Sequence, residues 1–184
     1  IQGIEGHTVH LEGDRTLRAR VILDATAGSL GGETDDRNSN STNCYYFSVE
    51  DVPDPRPILH LNASNGAINN LCFPSLVQPG YSPEGKHLLS VSTLQNPGET
   101  VPGIREELTD WFGERAQEWA FIGRYEIDRA LPRFEPGTDR SDASATLLRD
   151  GLYRCGDLLT TPSLNGALAS GRMASERIVR DHFE

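Results

Sequence analysis

The sequence predicts a mixed protein of the α/β (α+β) class, on three observations. A nearly continuous apolar run at residues 21–23 ends in small residues, which is typical of a strand buried on both faces in a parallel sheet. Short strand-like segments separated by prolines occupy the middle of the chain and predict a mixed, mostly antiparallel sheet. Two segments with helically spaced apolar residues would supply the helices that pack on these sheets.

The N-terminal region predicts a β-hairpin that continues into the buried strand. Apolar side chains alternate over residues 8–11, Glu12-Gly13-Asp14 is a typical turn sequence, and alternation resumes over residues 17–23. The polar composition of residues 31–42 then predicts a connection or a domain boundary.

Four strand-like segments follow, at residues 44–49, 58–61, 67–73 and 87–94. After them, Pro102 marks the start of an amphipathic helix, because proline is favoured in the first helical turn. Ile104, Leu108 and Trp111 lie at i, i+4 and i+7 and form the apolar face of this helix, and Gly113 predicts its end.

The next predicted strand carries aromatic residues at a spacing that places them on one face. They are Trp119, Phe121 and Tyr125, joined by Ile127. These side chains either form a stripe of the hydrophobic core or line a substrate cavity. Leu131-Pro132 predicts the end of the strand, and a polar loop follows over residues 135–144.

The C-terminal region predicts a short strand over residues 152–155 and a helix over residues 163–182. The first turns of the helix are rich in Gly and Ala, and a glycine inside a helix costs about 1 kcal/mol relative to alanine. We therefore expect another backbone, or a ligand, to approach these turns closely. The predicted apolar stripe of the helix consists of Leu164, Leu168, Ile178 and Val179.

The start of this helix is a candidate site for an anionic or electron-accepting ligand. The backbone amides of Asn165, Gly166 and Ala167 lie at the positive end of the helix, and we expect them to be free for such a ligand. Asp157 follows the short strand, where ligands bind in open α/β sheets, and its carboxylate suits the hydroxyl groups of a polyol. The alternative is that the small residues only permit packing and that Asp157 caps a turn.

Composition and charge exclude several classes of function. A net charge of −10 and a pI near 4.9 disfavour binding to nucleic acid or to an anionic membrane surface. No apolar run approaches the ~20 residues of a membrane-spanning helix, so no integral membrane segment is predicted. His7 and His10 lie on opposite faces of a strand, so no metal site is expected. Three scattered cysteines indicate a reducing, cytoplasmic compartment.

Two C-terminal segments resemble a known flavoprotein superfamily. They read TLLRDGLYRCGD at residues 146–157 and SLNGALASGRMA at residues 163–174. Together they are similar to the C-terminal flavin fingerprint of the FAD-dependent amine oxidoreductases, which include monoamine oxidases, phytoene desaturases and protoporphyrinogen oxidases. Residues 21–28 resemble the strand of this superfamily that ends in Ala-Thr-Gly, here with an extra alanine. Residues 124–132 resemble its strand that returns to the flavin.

The resemblance implies a partial FAD/NAD(P)-binding three-layer domain joined to a substrate domain. The implied FAD-binding parts are residues 1–32 and 141–184, and the substrate-binding sheet is residues 33–140. The cofactor is then FAD, and the reaction is hydride transfer from a C–N or C–C bond of a small-molecule substrate to the flavin. No catalytic base is assigned. The implied cofactor-binding residues are Thr26, Gly28, Gly156, Asp157, Leu164, Asn165, Gly166 and Ala167.

The glycine-rich turn that grips the pyrophosphate in this superfamily is absent, and the chain begins at Ile1 with its only methionine at Met173. We therefore expect the C-terminal portion of a longer enzyme, inactive alone and without tight FAD binding. Apolar strand edges at residues 21–23 and 152–155 would favour self-association. The alternative is a non-catalytic interaction or scaffold domain derived from a flavoprotein fold.

Overall fold

The computed structural model describes residues 1–26, 39–95, 98–137 and 146–184, which fall into two compact units. Unit 1 combines Ile1–Asn40 with Leu131–Glu184, and unit 2 is Ser41–Ala130. Gly28 and most of the two predicted polar loops lie outside the described residues. The predicted fold class is confirmed, because helices combine with three mostly antiparallel sheets.

The elements of the described ranges are short, apart from two long strands and two helices. The strands are β1 (Gly3–Glu5), β2 (Thr8–His10), β3 (Thr16–Arg18), β4 (Ile22–Asp24), β5 (Ser39–Val49), β6 (Leu59–Leu61), β7 (Ile68–Cys72), β8 (His87–Thr93), β9 (Ala120–Pro132), β10 (Leu147–Arg149) and β11 (Leu152–Arg154). The helices are α1 (Pro74–Val77), α2 (Val101–Phe112) and α3 (Leu164–His182). None of these helices combines the length and the apolar character that crossing a bilayer requires.

Unit 1 contains two small sheets, and the chain passes from one to the other between β3 and β4. β1, β2 and β3 form an antiparallel sheet, where the amide of Ala19 donates to the carbonyl of His7 at 3.0 Å. Shortly afterwards the amide of Ile22 donates to the carbonyl of Gly151 at 2.8 Å, in the second sheet. The prediction of one strand over residues 17–23 is therefore wrong, because alternating apolar residues do not reveal a change of hydrogen-bonding partner.

The turn between β10 and β11 ties the two sheets of unit 1 together. The Arg149 guanidinium donates to the carbonyl of Ile4 at 3.0 Å and to that of Gly6 at 3.2 Å. Gly151 has a φ of +68°, and a side chain there would run into the ring of His7. Glycine is therefore required at position 151 for its backbone conformation and for this contact.

The second sheet has the order β10-β11-β4, and α3 packs against β11 through small residues. The β11–β4 pair is parallel, as predicted, but β4 is not buried on both faces, because Leu23 is 42% exposed. Gly166, Ser170 and Ala174 are the buried residues of α3, whereas Leu164 is 78% exposed and Leu168 is 65% exposed. The predicted apolar stripe is therefore wrong for Leu164, Leu168 and Val179, whereas Ile178 is half-buried. Small side chains at every fourth position let the helix backbone approach its neighbours, which leucines there would prevent.

Tyr153 fixes the C-terminal end of α3. Its buried hydroxyl donates to the Asp181 carboxylate at 2.8 Å and lies 2.9 Å from Nε2 of His182. Arg177 donates to the same carboxylate at 2.6 Å. Burial and the neighbouring Asp181 raise the pKa of Tyr153, so the phenol remains a donor at neutral pH.

Unit 2 is a five-stranded sheet with a core between one of its faces and α2. The strand order is β6-β7-β8-β5-β9, and β5 and β8 pair in the antiparallel register that places Tyr45 opposite Val91. Thr100 caps α2 by accepting the amide of Gly103 at 3.2 Å, which explains why the helix begins at Val101. The core residues from the sheet and from α2 are Tyr45, Phe47, Val49, Ile68, Leu71, Leu89, Val91, Ile104 and Leu108.

A carboxylate from α2 organises the loop before β7. Glu107 accepts the side-chain amide of Asn62 at 2.9 Å and the backbone amides of Ala67 at 2.8 Å and Ile68 at 3.2 Å. A side chain at Gly66 would run into the same carboxylate. Glu107 therefore supplies the acceptors that this loop lacks within itself.

The aromatic residues around β9 do not share one environment. Trp119 is buried in the core of unit 2, which confirms the core interpretation for this residue. Phe121, Tyr125 and Ile127 are exposed, so the core interpretation is wrong for them. β9 is the edge strand of the sheet, and none of its residues belongs to the hydrophobic core of unit 2.

Candidate functional site

The candidate site lies where the parallel strands β4 and β11 end. Asp24 is opposite Arg154 in this pair, and the amide of Cys155 donates to the carbonyl of Asp24 at 2.9 Å. Because both strands run in the same direction, the residues that follow them emerge at the same edge of the sheet. Thr26 and the Gly156-Asp157 pair therefore follow neighbouring strands at the same edge, which is the edge where ligands bind in open α/β sheets.

Asp24 holds the end of β4 in place. Its buried carboxylate accepts the amide of Thr26 at 2.9 Å and the hydroxyl of Thr26 at 2.6 Å. It also lies 3.5 Å from the guanidinium of Arg154 on the neighbouring strand, an ion pair that is longer than a usual hydrogen bond. This explains the acidic residue in an otherwise apolar run. The pair is not evident from the sequence, because the two residues meet only through the parallel register of their strands.

Gly156 joins the end of β11 to α3. Its φ of +140° lies in a region that residues with a side chain rarely adopt. Its amide donates to the Ser170 hydroxyl at 3.1 Å, which holds the strand end against the helix. The glycine therefore fixes the position from which Asp157 projects.

Asp157 begins a short 3-10 turn, Asp157–Leu159, and its side chain does not cap that turn. Its backbone carbonyl accepts the amide of Thr160 at 3.1 Å, whereas no hydrogen bond to its carboxylate is found within the described ranges. The interpretation of Asp157 as a turn cap is therefore wrong. The partly exposed carboxylate has acceptor positions available at the edge of the sheet.

The first turn of α3 is occupied by its own cap. The Ser163 hydroxyl accepts the amide of Gly166 at 3.0 Å, and the Ser163 carbonyl accepts the amide of Ala167 at 3.0 Å. The prediction that these two amides are free for a ligand is therefore wrong. The capping signal was present in the sequence, because serine is among the residues preferred at the position before a helix.

Gly166 meets the preceding loop rather than open space. A side chain there would run into the backbone carbonyl of Thr161 and would lie 2.7–2.8 Å from the hydroxyls of Thr161 and Thr160. The Thr160 hydroxyl also donates to the carbonyl of Gly166 at 2.8 Å. The close approach expected at this helix start is therefore made by the protein's own backbone. Leu164 and Asn165, by contrast, are exposed on this turn.

Cys155 is suited to packing rather than to nucleophilic chemistry. The side chain is buried between the end of β11 and its neighbours, and it forms no disulfide. Burial, and secondarily the negative charge of Asp24, raises the pKa of this thiol. A raised pKa keeps the group in its unreactive thiol form at neutral pH.

The histidines of the N-terminal hairpin occupy separate environments. The ring of His7 is packed near Gly151, and His10 lies 3.8 Å from the Glu5 carboxylate. Within the ranges that the structure describes, no group of three or more His, Cys, Asp or Glu side chains is placed to hold a metal ion.

Unit 2 has a separate polar cleft of about 210 Å³. It contains Lys86, the only lysine in the sequence, together with Arg115, which lies 3.4 Å from Asp51. Glu50 and Glu118 also line the cleft. The Arg115–Asp51 pair compensates charge within the cleft, and Lys86 had no role predicted from the sequence.

Comparison of folds finds similar solved structures, although no family model and no curated protein matches the chain by sequence. A structural-genomics protein of Pyrococcus furiosus has a TM-score of 0.67 and 14% identity over 96% of this chain and 45% of that one. An oxidoreductase of Methanosarcina mazei has a TM-score of 0.61 and 16% identity over 89% of this chain and 44% of that one. A reduced UDP-galactopyranose mutase has a TM-score of 0.64 and 11% identity over 97% of this chain and 45% of that one.

At these identities the likeness concerns the fold alone, and the chain spans less than half the length of each of these proteins. The chain therefore shares its fold with part of an oxidoreductase and with part of a UDP-galactopyranose mutase.

Proposed function

We propose that the chain forms part of the FAD-binding site of a flavin-dependent oxidoreductase. The observation that supports this proposal is the common edge of the parallel strands β4 and β11, which Thr26 follows on one strand and Gly156-Asp157 on the other. Open α/β sheets bind their ligands at such strand ends. Further support comes from the fold shared with an oxidoreductase and with a mutase named in its reduced form.

The residues at this edge fit the hydroxyl-bearing part of FAD. The Asp157 carboxylate offers acceptors for the hydroxyls of a ribityl or ribose chain, and Gly156 lets that chain approach the backbone. The bond from the Gly156 amide to Ser170 orients Asp157 toward this role. When bound, the flavin would accept the hydride that leaves the substrate.

The start of α3 has a narrower role in this proposal than the sequence predicts. Since Ser163 already occupies the amides of Gly166 and Ala167, these two residues act by keeping the turn small. Leu164 and Asn165 are exposed on the same turn, and we assign the cofactor contacts of the helix to their side chains.

The reaction that we propose is oxidation of a C–N or C–C bond of a small molecule. It rests on the resemblance of residues 146–157 and 163–174 to the fingerprint of the amine oxidoreductases. The three unpaired cysteines fit a reducing, cytoplasmic setting, which belongs to the same proposal. The 184-residue chain by itself is expected to bind FAD more weakly than the complete protein.

The test is retention of FAD by the complete protein after Asp157→Asn, which keeps the shape of the side chain and removes its charge. Hydrogen bonds to a charged group contribute about 1.5–3 kcal/mol, so FAD affinity should fall roughly 10- to 100-fold. Asp150→Asn is the matched control, because this exposed residue lies in the turn at the opposite end of β11. Flavin absorbance after gel filtration and equilibrium titration with FAD give the two affinities.

Two outcomes would contradict the proposal in different ways. Equal FAD affinity in the Asp157 and Asp150 variants would mean that a residue other than Asp157 binds the hydroxyl groups of FAD. A colourless wild-type protein that gains no flavin spectrum on addition of FAD would refute flavin binding altogether. That result would favour the alternative, a non-catalytic interaction or scaffold domain.

A further inference from the structure

The outer edge of β9 is long and exposed. β9 runs from Ala120 to Pro132 at the end of the sheet order of unit 2, and within the described ranges no strand pairs with its outer side. Side chains of both faces are exposed, including Ile122 at 59% and Tyr125 at 62%. Edge strands are often protected by charged side chains, lysine above all, or by proline. Residues 120–130 contain neither lysine nor proline, and their four charged residues are two arginines and two acidic residues, which can compensate one another.

We propose that this edge pairs with β9 of a second copy of the chain, antiparallel and about a two-fold axis through Tyr125. Two identical strands can pair in this way only if the axis passes through a residue. Otherwise, side chains that point to opposite faces of the sheet would be placed opposite each other. The number of possible registers is therefore small, and the charges of β9 distinguish among them.

Charge complementarity selects the register centred on Tyr125. Axes through Arg124, Glu126, Asp128 or Arg129 would each place two identical charges opposite one another. An axis through Ile127 would oppose Glu126 and Asp128, which are both acidic. An axis through Gly123 would avoid like charges, but it would oppose no unlike charges either.

The register centred on Tyr125 pairs each arginine of the strand with a favourable partner. The opposing residues are Ala120 with Ala130, Phe121 with Arg129, Ile122 with Asp128, Gly123 with Ile127, and Arg124 with Glu126.

Within one chain Arg124 and Glu126 already form an ion pair of 3.0 Å on one face of the strand. The dimer would therefore assemble two arginines and two glutamates in alternation. Tyr125 would meet its own copy, as an aromatic cross-strand pair.

The proposal does not depend on flavin binding, because no residue of the candidate site lies on β9. It also differs from the self-association expected at residues 152–155, since Leu152 and Tyr153 are buried. The second copy is favoured as the occupant because the strand sequence is complementary to itself.

The first test is the oligomeric state of the 184-residue chain, measured by sedimentation equilibrium. The wild type should be a dimer, and Glu126→Arg should weaken dimerisation roughly tenfold or more, because it opposes arginines in both pairs. The double variant Arg124→Glu with Glu126→Arg restores unlike pairs and should restore the dimer. A monomeric wild type at about 100 µM, or a dimer unaffected by Glu126→Arg, would overturn the proposal.

The second test reads the register directly through oxidative cross-linking. Opposed residues of antiparallel strands have Cα atoms about 4.5–5.5 Å apart, within the range of a disulfide, so Tyr125→Cys should cross-link two copies. Ile127→Cys is the matched control. In a dimer centred on Tyr125, residue 127 of one copy lies opposite residue 123 of the other. The two residues 127 are therefore four positions apart along the strands, roughly 13 Å, which is too far for a disulfide. Both positions are exposed, and both variants retain the natural cysteines. Equal cross-linking at the two positions would refute this register.

Discussion

Replacing Gly166 by alanine should destabilise the protein, whereas the same replacement at Gly171 should stabilise it. Both glycines lie inside α3, and alanine improves helix propensity by about 1 kcal/mol at either position. Their surroundings differ. Among the residues that the structure describes, no atom of a neighbouring element lies within 4 Å of the place where a Cβ of residue 171 would be, so nothing there opposes the gain in helix propensity.

At Gly166 the added methyl group would meet the Thr160-Thr161 segment. The hydroxyls of these threonines would lie 2.7–2.8 Å from the new Cβ, and the Thr161 carbonyl would lie closer still. Overpacking of this kind costs about 1–3 kcal/mol, and loss of the bond from Thr160 to the Gly166 carbonyl costs about 1 kcal/mol more. After subtracting the propensity gain, Gly166→Ala should lower the free energy of unfolding by about 1–3 kcal/mol.

The assay is urea denaturation of both variants and the wild type, followed by far-UV circular dichroism. We expect the free energies of unfolding of the two variants to differ by about 2–4 kcal/mol, with Gly171→Ala above the wild type and Gly166→Ala below it. Equal stabilisation by the two substitutions would refute the argument. It would mean that the loop of residues 160–163 moves aside without cost and that small residues at this turn are not required by the fold.

Two further predictions concern polar groups that join distant segments. Glu107→Ala removes an acceptor for three donors, including the amide of buried Ile68, and should lower the free energy of unfolding by about 2–4 kcal/mol. Exposed Glu106→Ala is its control in urea denaturation and should change that free energy by less than about 0.5 kcal/mol. The pKa of Tyr153 is raised in the folded state. The contribution of this phenol to the free energy of unfolding is therefore complete below about pH 10, and it is lost as pH rises through the raised pKa. Tyr153→Phe should therefore lower the urea midpoint at neutral pH. Above about pH 10 the midpoint of this variant should fall less steeply with pH than that of the wild type. An equally steep fall in both proteins would contradict the role of the Tyr153 hydroxyl.

The elements that the sequence predicted well are those that bury one face and whose ends are determined by nearby residues. Pro102 and Gly113 bracket α2 closely, because helix ends are determined by residues within one turn. Residues 44–49 were also correctly predicted as a strand, and they lie within β5, where every second side chain faces the core. In both cases the residues of the element itself were sufficient for the prediction, once one of its faces could be assumed to be buried.

Predictions failed where the partner of an element, rather than its own pattern, determines the structure. The leucines of α3 were assigned to the buried stripe because apolar residues usually are buried, yet the helix packs through Gly166, Ser170 and Ala174. The exposed aromatic residues of β9 carry the same lesson. Side-chain hydrophobicity identifies surfaces that benefit from cover, but it does not identify what covers them.

The candidate site could be predicted in outline but not in the state of its donors and acceptors. Spacing placed Asp157 correctly at the end of a strand, and resemblance pointed to Thr26 on the neighbouring strand. The structure adds that the amide and hydroxyl of Thr26 are bonded to Asp24, and that Ser163 takes the amides of Gly166 and Ala167.

The groups with the most obvious ligand-binding chemistry are thus already used to build the edge of the sheet. The Asp157 carboxylate is the exception, because the backbone on both sides of it is hydrogen-bonded while no residue of the described ranges donates to its oxygens. If this edge binds a cofactor, the contribution of β4 and β11 to its affinity comes chiefly from the Asp157 carboxylate. The effect of Asp157→Asn should then exceed that of removing the Thr26 hydroxyl.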